Sequence, residues 1–516
     1  MIRSVVILVT AVAFGPGALQ AVADELPAIV AHVAAHREPD AVASIPWNTY
    51  AAAVKAPAEL RTLPIGVFDS GIGGLTVLEA ILKLDQHHNG TGAPGPDGTP
   101  DFQGERFIYL GDQANMPYGN YSSAGRVDFL RELILRDALF LLGDRYYGAL
   151  PTDPPKRDKP PVKAIVIACN TATAYGLDDI RAALEQWKIP LLVVGVVEAG
   201  GHGVIDAMRS DTTAGAAAVL ATVGTCSSNA YPKTIARLAG QQGLQVPVVC
   251  QQGSVGLAGA IESNPAFVAS QAQPTAAYLG PSGINKQATL QRALLDVYDF
   301  DKSEIVGDLR DLAGVRLNSV ENYIRYDVAT LVDEYRRSGA TKAISTVVLG
   351  CTHYPLAVAP IDAAFQRLRM YRDAEGKQPY ASLIAEKITY VDPGEYTARE
   401  LYRGLFLRKQ LLRSGEECVA KSDWFYVTVP SPKLAADQKE PFSGAITAAY
   451  KYSRLPGDFQ RDDVRTMPVA YNAEALAAAV AWRDKLPHVA QRLPGGRRKL
   501  LSETFSLPLA PQPSGK

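Results

Sequence analysis

Two cysteines occur in matching sequence contexts and could exchange protons with a bound molecule. Cys169 and Cys351 each follow an apolar run typical of a buried strand, and each is followed by a threonine within two positions. A thiol at the carboxyl end of such a strand is partly exposed, and a helix beginning there favours the thiolate. A lone buried cysteine is more often a small core residue, and a lone histidine is more often structural. The repeated context favours a functional cysteine pair, and the position of His353 directly after Cys351-Thr352 favours a functional histidine.

An aspartate and a glycine-rich turn follow a third apolar run. Asp69 comes directly after residues 64–68, residues 71–74 are rich in glycine, and residues 75–84 show helical spacing. Asp69 could therefore be a catalytic carboxylate or a helix cap, and the turn could be a tight turn or a phosphate cradle. The Walker lysine is missing and the glycine spacing departs from the dinucleotide fingerprint, so nucleotide binding is disfavoured.

The histidine and cysteine spacings predict no metal site. His87 and His88 lie in a Gly/Pro-rich loop without a ligand partner at metal spacing, and the seven histidines and five cysteines form no zinc pattern. Cys226, Cys250 and Cys418 have no assigned role, although Cys226 or Cys418 could pair with Cys250. Five cysteines in so long a chain exclude a disulfide scaffold.

Alternating strand and helix patterns must position these residues. The helical patterns lie at 75–84, 172–187, 287–298 and 319–338, and the strand patterns lie at 64–68, 107–110, 162–168, 191–197, 218–223, 346–349 and 388–391. This alternation predicts an α/β fold with a mostly parallel sheet and helices on both faces. The pattern weakens after about residue 436, and residues 508–516 look disordered.

Composition limits the function classes. The chain has 516 residues, of which 47% are hydrophobic and 20% charged, with a formal net charge of −1. Such a chain can bury a large core, and its balanced charge gives no basis for nucleic-acid binding.

The first 23 residues predict export. Arg3 precedes the apolar stretch 5–14, residues 15–17 break it, and Ala21-Val22-Ala23 matches a small-x-small cleavage site. The stretch is shorter than the about 20 residues that span a bilayer. We therefore expect a signal peptide and a periplasmic or secreted protein with no stable membrane span after cleavage. An uncleaved N-terminal helix is the alternative.

An ordered set of motifs resembles the glutamate racemases of the aspartate/glutamate racemase superfamily, which are cofactor-independent two-cysteine enzymes. The resemblance covers roughly residues 64–435, and its motifs are at 65–75, 109–112 with 117–119, 168–172, 194–198, 221–225, 349–356 and 425–428. It implies two pseudo-symmetric α/β lobes with the active site between them. The expected division is a signal peptide (1–23), an N-terminal extension (24–63), a first lobe (64–197, completed by about 388–435), a second lobe (198–387, with an insertion at about 263–345) and a C-terminal extension (436–516, partly disordered).

The resemblance also implies residue roles. Cys169 and Cys351 would be the two acid/base groups, with Cys169 acting on the D-enantiomer and Cys351 on the L-enantiomer, and Asp69 and His353 would tune and orient them. The implied substrate-binding positions are Ser70, Tyr118, Gly119, Asn170, Thr171, Thr225, Thr352 and Glu262. No cofactor and no metal are implied.

The chain departs from the family pattern at several points. The family usually has Cys-Pro before its binding-site glutamate. Glu262 corresponds to that glutamate, but no Cys-Pro precedes it in this chain. The family also commonly has an arginine where this chain has Asn115. The insertion before Cys351 could form a lid or an interface.

The expected function is interconversion of L- and D-glutamate, or of a close acidic amino acid, which could supply D-glutamate for peptidoglycan and so for the cell wall and cell shape. That role is usually cytoplasmic and conflicts with export. The alternatives are an exported, non-catalytic binding protein for acidic amino acids, or a related enzyme acting on aspartate, a hydantoin or a malonate-type substrate. The expected partner is a small acidic amino acid rather than nucleic acid, and the oligomeric state is open, with a homodimer as one alternative.

Overall fold

A computed structural model describes residues 25–38, 43–210, 215–268, 278–413, 415–441, 443–458, 461–472, 476–477 and 481–493. The strands are β1 (Ile65–Asp69), β2 (Phe107–Gly111), β3 (Ala164–Ile167), β4 (Leu192–Gly195), β5 (Ala216–Thr222), β6 (Val249–Ser254), β7 (Ile305–Val306), β8 (Arg316–Leu317), β9 (Ile344–Gly350), β10 (Ile384–Val391), β11 (Trp424–Pro430) and β12 (Val464–Pro468). The helices are α1 (Ala28–Ala35), α2 (Trp47–Ala53), α3 (Leu75–Lys83), α4 (Gly119–Ser123), α5 (Val127–Leu142), α6 (Asn170–Trp187), α7 (Val196–Ser210), α8 (Val223–Ser228), α9 (Ala230–Gln241), α10 (Leu257–Ile261), α11 (Leu295–Tyr298), α12 (Val320–Arg337), α13 (Val358–Met370), α14 (Pro393–Leu407), α15 (Ala448–Lys451) and α16 (Pro487–Arg492).

Two larger sheets carry the fold. One has the order β12-β11-β2-β1-β3-β4, and the other has the order β10-β9-β5-β6. All pairs within them are parallel except β11 with β12. Every residue of β1, β2 and β3 is buried, as expected for strands covered on both faces. The predicted α/β class with mostly parallel sheets is confirmed.

The two sheets share one strand order. The sequence β2-β1-β3-β4 in the first sheet corresponds to β6-β5-β9-β10 in the second. Under this correspondence β3, which precedes Cys169, matches β9, which precedes Cys351. The repeated sequence context of the two cysteines therefore reflects a repeated topology.

The chain crosses between the sheets along two helices that pack together. α7 follows β4 of the first sheet and leads to β5 of the second, whereas α14 follows β10 of the second sheet and leads back towards β11 of the first. Small residues permit the close approach, since a Cβ at Gly203 would lie 2.4 Å from Cγ1 of Val391 and 2.8 Å from Cε2 of Tyr396. The crossover pair holds the lobes together behind the site.

The structure corrects the expected boundary between the lobes. The first lobe was expected to resume at about residue 388, but β10 runs from Ile384 to Val391 and pairs with β9 of the second sheet. The apolar pattern at 388–391 marks only the end of this strand, because its first half contains the adjacent exposed residues Glu386 and Lys387. The first lobe resumes with α14 and β11.

The described part of the C-terminal extension is folded onto the first lobe. β12 pairs antiparallel with β11 and covers that edge of the sheet. Arg454, which is 2% exposed, donates to Oδ1 of Asn115 at 2.6 Å and to the Tyr121 hydroxyl at 3.2 Å. The extension thus places a buried guanidinium beside Asn115.

The N-terminal extension and the insertion are also packed. Trp187 donates its indole N–H to the carbonyl of Val30 in α1 at 3.0 Å, and α12 of the insertion lies in the core of the second lobe. The helical patterns predicted at 287–298 and 319–338 correspond to α11, with a preceding 3₁₀ turn, and to α12. The signal peptide (1–23) and the disorder predicted at 508–516 lie outside the described residues. Among the helices of the described ranges, none is long and apolar enough to cross a membrane.

Candidate active site

Cys169 lies at the start of α6, two residues after β3 ends. Its Sγ accepts the N–H of Ala172 at 3.4 Å and donates to Oγ of Ser70 at 3.7 Å. The side chain is the N-cap of an 18-residue helix, so the helix dipole favours negative charge here. Burial and the neighbouring charge of Asp69 act the other way and raise the pKa of the Cys169 thiol far above its usual range. Cys169 is therefore a protonated thiol at neutral pH.

Asp69 is the last residue of β1 and is buried under the glycine-rich turn. Its Oδ2 accepts the N–H groups of Gly74 at 2.9 Å and Gly71 at 3.3 Å. Burial raises the pKa of Asp69, although the charge of His353 and these backbone N–H groups counteract part of the rise. Asp69 therefore organises the turn before α3, and its charge acts on the neighbouring thiol of Cys169.

Cys351, His353 and Glu262 form a second cluster at the end of β9. Sγ of Cys351 lies 3.6 Å from Nδ1 of His353, and Nε2 of His353 lies 2.8 Å from Oε1 of Glu262. Burial alone would lower the pKa of His353, but Glu262 and Cys351 outweigh it and hold that pKa well above its usual range. His353 is therefore an imidazolium held between a carboxylate and a cysteine sulfur.

The glycine-rich turn brings the two clusters together. A Cβ at Gly73 would lie 2.4 Å from Cε1 of His353 and 2.5 Å from Oγ1 of Thr352, so only glycine fits there. Three residues later, Oγ1 of Thr76 donates to the carbonyl of Thr352 at 2.7 Å. Two adjacent glycines thus separate the clusters, since Gly74 contacts Asp69 and Gly73 contacts His353.

Neutral hydrogen-bonding groups surround the start of α6. Oδ1 of Asn170 accepts from the Tyr231 hydroxyl at 2.6 Å, which fixes the amide. The hydroxyls of Thr171, Thr222 and Thr225 lie 3.0–3.1 Å from one another. This hydroxyl cluster and the backbone N–H groups at the start of α6 could receive a carboxylate.

Gly119 and Tyr118, predicted to bind substrate, contribute differently. Gly119 lies against the hydroxyl cluster, because a Cβ there would lie 3.2 Å from Oγ1 of Thr222. The Tyr118 hydroxyl is held away from it, 2.5 Å from Oδ2 of Asp112 and 2.7 Å from Oδ2 of Asp137. Burial and the charge of Asp112 raise the pKa of Asp137 well above its usual range, so a neutral Asp137 can donate to this hydroxyl, which then donates to Asp112.

The remaining predicted positions are distributed over both clusters. Ser70 is half-buried beside Cys169, and Thr352 lies between Cys351 and His353. Glu262 binds His353, so its oxygen is already engaged by the imidazolium. All five cysteines are free, and groups of His, Cys, Asp and Glu that could hold a metal ion are absent from the part of the chain that the structure describes.

Sequence reasoning missed three contributors to the site. Thr76 donates a hydrogen bond to the carbonyl of Thr352, and the Tyr231 hydroxyl donates one to the side chain of Asn170. Trp482 of the C-terminal extension contacts the ring of His353. The position of Thr76 in the first turn after the glycine motif is a usable signal. Tyr231 and Trp482 carry none, since their proximity to the site arises from tertiary packing.

The chain resembles curated racemases over most of its length. It is 27% identical over 362 residues to the glutamate racemase of Pediococcus pentosaceus, covering 70% of this chain and 88% of that protein. It is 36% identical over 176 residues to the glutamate racemase of Limosilactobacillus fermentum, covering 34% of this chain and 48% of that protein. No family model matches the chain.

Two solved structures of glutamate racemases align with the chain at low TM-scores. The RacE1 isoform from Bacillus anthracis aligns with a TM-score of 0.42 at 23% identity, covering 71% of this chain and 89% of that one. The enzyme from Francisella tularensis in complex with D-glutamate aligns with a TM-score of 0.39 at 20% identity, covering 78% and 95%.

Proposed function

We propose, since the chain belongs to the glutamate racemase family, that it is a cofactor-independent racemase that interconverts L- and D-glutamate. The observation that carries the proposal is the opposite electrostatic setting of the two thiols. Cys169 is beside the acidic Asp69 and is protonated, whereas Cys351 is beside the imidazolium of His353. A two-base racemase needs one acid and one base at the start of each turnover, and this arrangement supplies both.

The proposed reaction moves one proton at each thiol. The Cys351 thiolate removes the α-proton of the L-enantiomer, and the C–H electron pair stays on the substrate as a planar carbanion conjugated with its carboxylate. The Cys169 thiol then donates its proton to the opposite face and gives the D-enantiomer. Cys169 is left as a thiolate and Cys351 as a thiol, which is the starting form for the reverse reaction.

His353 and Asp69 would set this polarity. The positive charge of His353 lies beside Cys351, and burial together with the charge of Asp69 disfavours negative charge on Cys169 until the proton is needed.

The substrate carboxylates would be bound by neutral donors. The N–H groups at the start of α6 and the Thr171, Thr222 and Thr225 hydroxyls lie beside Cys169 in the chain or pack against its helix. Neutral donors bind a carboxylate without adding a cation near Cys169, which would stabilise its thiolate and weaken it as an acid.

Deuterium exchange tests the activity. Purified protein is incubated with L-glutamate in deuterium oxide under reducing conditions. The circular dichroism of the glutamate should decay, and the D-glutamate formed should carry one α-deuterium. Unreacted L-glutamate should contain little deuterium early in the reaction, because the removed proton and the added deuteron belong to different thiols. Rapid exchange without inversion would contradict the two-base arrangement, and binding without exchange would indicate a non-catalytic binding protein.

Cysteine variants test the residue roles. Cys169→Ala and Cys351→Ala should each lose racemisation by at least about 10³-fold, since each removes one of two required acid/base groups. Cys418→Ser changes a free, buried thiol whose charged neighbours include Lys163 and Glu105; it is the control and should retain activity. Full activity in both alanine variants would refute the two-thiol mechanism.

We also propose that the protein is exported and that its product or substrate belongs to cell-wall metabolism, where D-glutamate is a building block. The signal-like segment 1–23 supports export. A mature N-terminus at Asp24 in a periplasmic fraction is the expected result. An intact Met1 in the cytosol would instead favour the biosynthetic role.

A further inference from the structure

The C-terminal extension reaches the imidazolium of the site. The rings of Trp482 and His353 meet at 5.5 Å between centroids and at 88°, and Trp482 is 5% exposed. This residue lies beyond residue 436, where the resemblance to racemases ends. A segment outside the resemblance therefore forms part of the wall around His353.

The segment that carries Trp482 is fixed to the helix that follows the glycine-rich turn. Glu79 of α3 accepts the N–H of Val489 at 2.8 Å and that of His488 at 3.2 Å, and its Oε1 lies 2.6 Å from Nδ1 of His488. Arg492 adds an ion pair with Asp423 at 3.2 Å. The indole is thus positioned by the same helix that begins after Gly73 and Gly74.

Three groups besides the indole contact the imidazole ring of His353. Glu262 is bound at Nε2, Cys351 lies at Nδ1, and Gly73 closes against Cε1. The titratable groups facing the imidazole are Glu262, Cys351 and Asp69. Without the indole, water would reach the His353–Glu262 pair and weaken it.

We propose that Trp482 is a positioning residue of the active site, which excludes water from the His353–Glu262 pair and holds the imidazole with Nδ1 towards Cys351. The extension is then a required part of the catalytic unit and not an appendage. This proposal rests on the proposed racemase activity, and one arm of its test is independent of that activity.

The activity arm compares three variants of the full chain. Trp482→Ala should lower kcat at least about tenfold, change KM less than about threefold, and shift the basic limb of the pH profile by about one unit to lower pH. Trp482→Phe keeps an aromatic edge and should stay within about threefold of wild type. Val489→Ala loosens the same segment without removing the indole and should lower Tm while leaving the pH profile unchanged. Identical behaviour of Trp482→Ala and Val489→Ala would overturn the proposal.

The second arm uses fluorescence, because a neighbouring imidazolium quenches indole emission. The emission of Trp482, taken as wild type minus Trp482→Phe, should rise as pH increases through the raised pKa of His353. His353→Asn should abolish this rise. A protein without racemase activity that still shows this titration would refute the proposed function but keep the contact, whereas a flat titration would refute the contact itself.

Discussion

Replacing Glu262 by glutamine tests the electrostatic reasoning most directly. Glu262→Gln preserves the shape of the side chain and a carbonyl oxygen that can accept from Nε2 of His353, but it removes the negative charge 2.8 Å away. Both partners are largely buried, with side chains 11% and 15% exposed. The change should therefore lower the pKa of His353 while leaving the fold intact.

The size of the change follows from the geometry. Two unit charges about 4 Å apart attract by about 4 kcal/mol at an effective dielectric constant of about 20, which bounds the shift at about three pKa units. A hydrogen bond to a charged group contributes about 1.5–3 kcal/mol net, so a fall of about one to two units is expected. The basic limb of the pH profile of kcat/KM should move by the same amount to lower pH, with a loss of about 10–100-fold on that limb and little loss near pH 6.

Stability supplies an independent check with a defined sign. The folded pKa of His353 is raised, so the pair stabilises the protein fully below the unfolded pKa of about 6.5. That contribution is lost as pH rises through the folded pKa. The difference in unfolding free energy between wild type and Glu262→Gln should therefore be largest near pH 6 and shrink at higher pH.

The assay is polarimetric or dichroic rate measurement from about pH 5.5 to 10, combined with NMR titration of the imidazole Cε1–H, assigned with His353→Asn. Glu198→Gln is the matched control, because Glu198 pairs with Arg181 and Arg237 away from the site. Since the two enantiomers are equally stable in water, kcat/KM must fall equally in both directions. An unchanged pH profile together with an unchanged histidine titration would refute the account of the His353 cluster.

Two further predictions concern packing. Gly73→Ala should lower kcat/KM at least about 100-fold with an overpacking cost of about 1–3 kcal/mol, because the new methyl would collide with His353. The control is Gly240→Ala, which has open space around it and should leave the rate unchanged. A fully active Gly73→Ala variant would contradict the described contact. Glu105→Gln should cost about 3–5 kcal/mol in urea unfolding, since it strands the buried charge of Lys163 at 2.6 Å. The rate per folded molecule should persist, because this pair lies at the opposite ends of the strands from the thiols, and a loss below about 1 kcal/mol would show that Lys163 is neutral or solvated.

Much of the active site could be predicted from local sequence. Cys169, Cys351 and Asp69 each follow a short apolar run, so strand-end position carried the prediction. The edge rule for parallel strands brings together Asp69 and Cys169, which end strands of one sheet, whereas Cys351 follows β9 of the other sheet and meets them only through the packing of the two lobes. The glycine-rich turn before a helix also indicated tight packing at Gly73, but the residues that Gly73 contacts could not be predicted from the sequence. The strand predicted at 388–391 shows the limit, since three of the eight residues of β10 are exposed and its pairing with β9 has no local signal.

The sequence by itself determined the α/β class, the paired cysteines and the resemblance that names their chemistry, because strand burial, helix periodicity and short motifs are local properties. Only the tertiary structure decided the charge of each site group. Asp69, Glu262 and His353 are far apart in the chain. Burial and the charge of Asp69 raise the pKa of the Cys169 thiol, and the proximity of Glu262 and Cys351 raises that of His353. Tertiary packing likewise brought Trp482 and Arg454 from the C-terminal extension to buried positions on the first lobe and its site. Long-range contacts of this kind depend on surfaces that exist only after folding, so no local pattern could predict them.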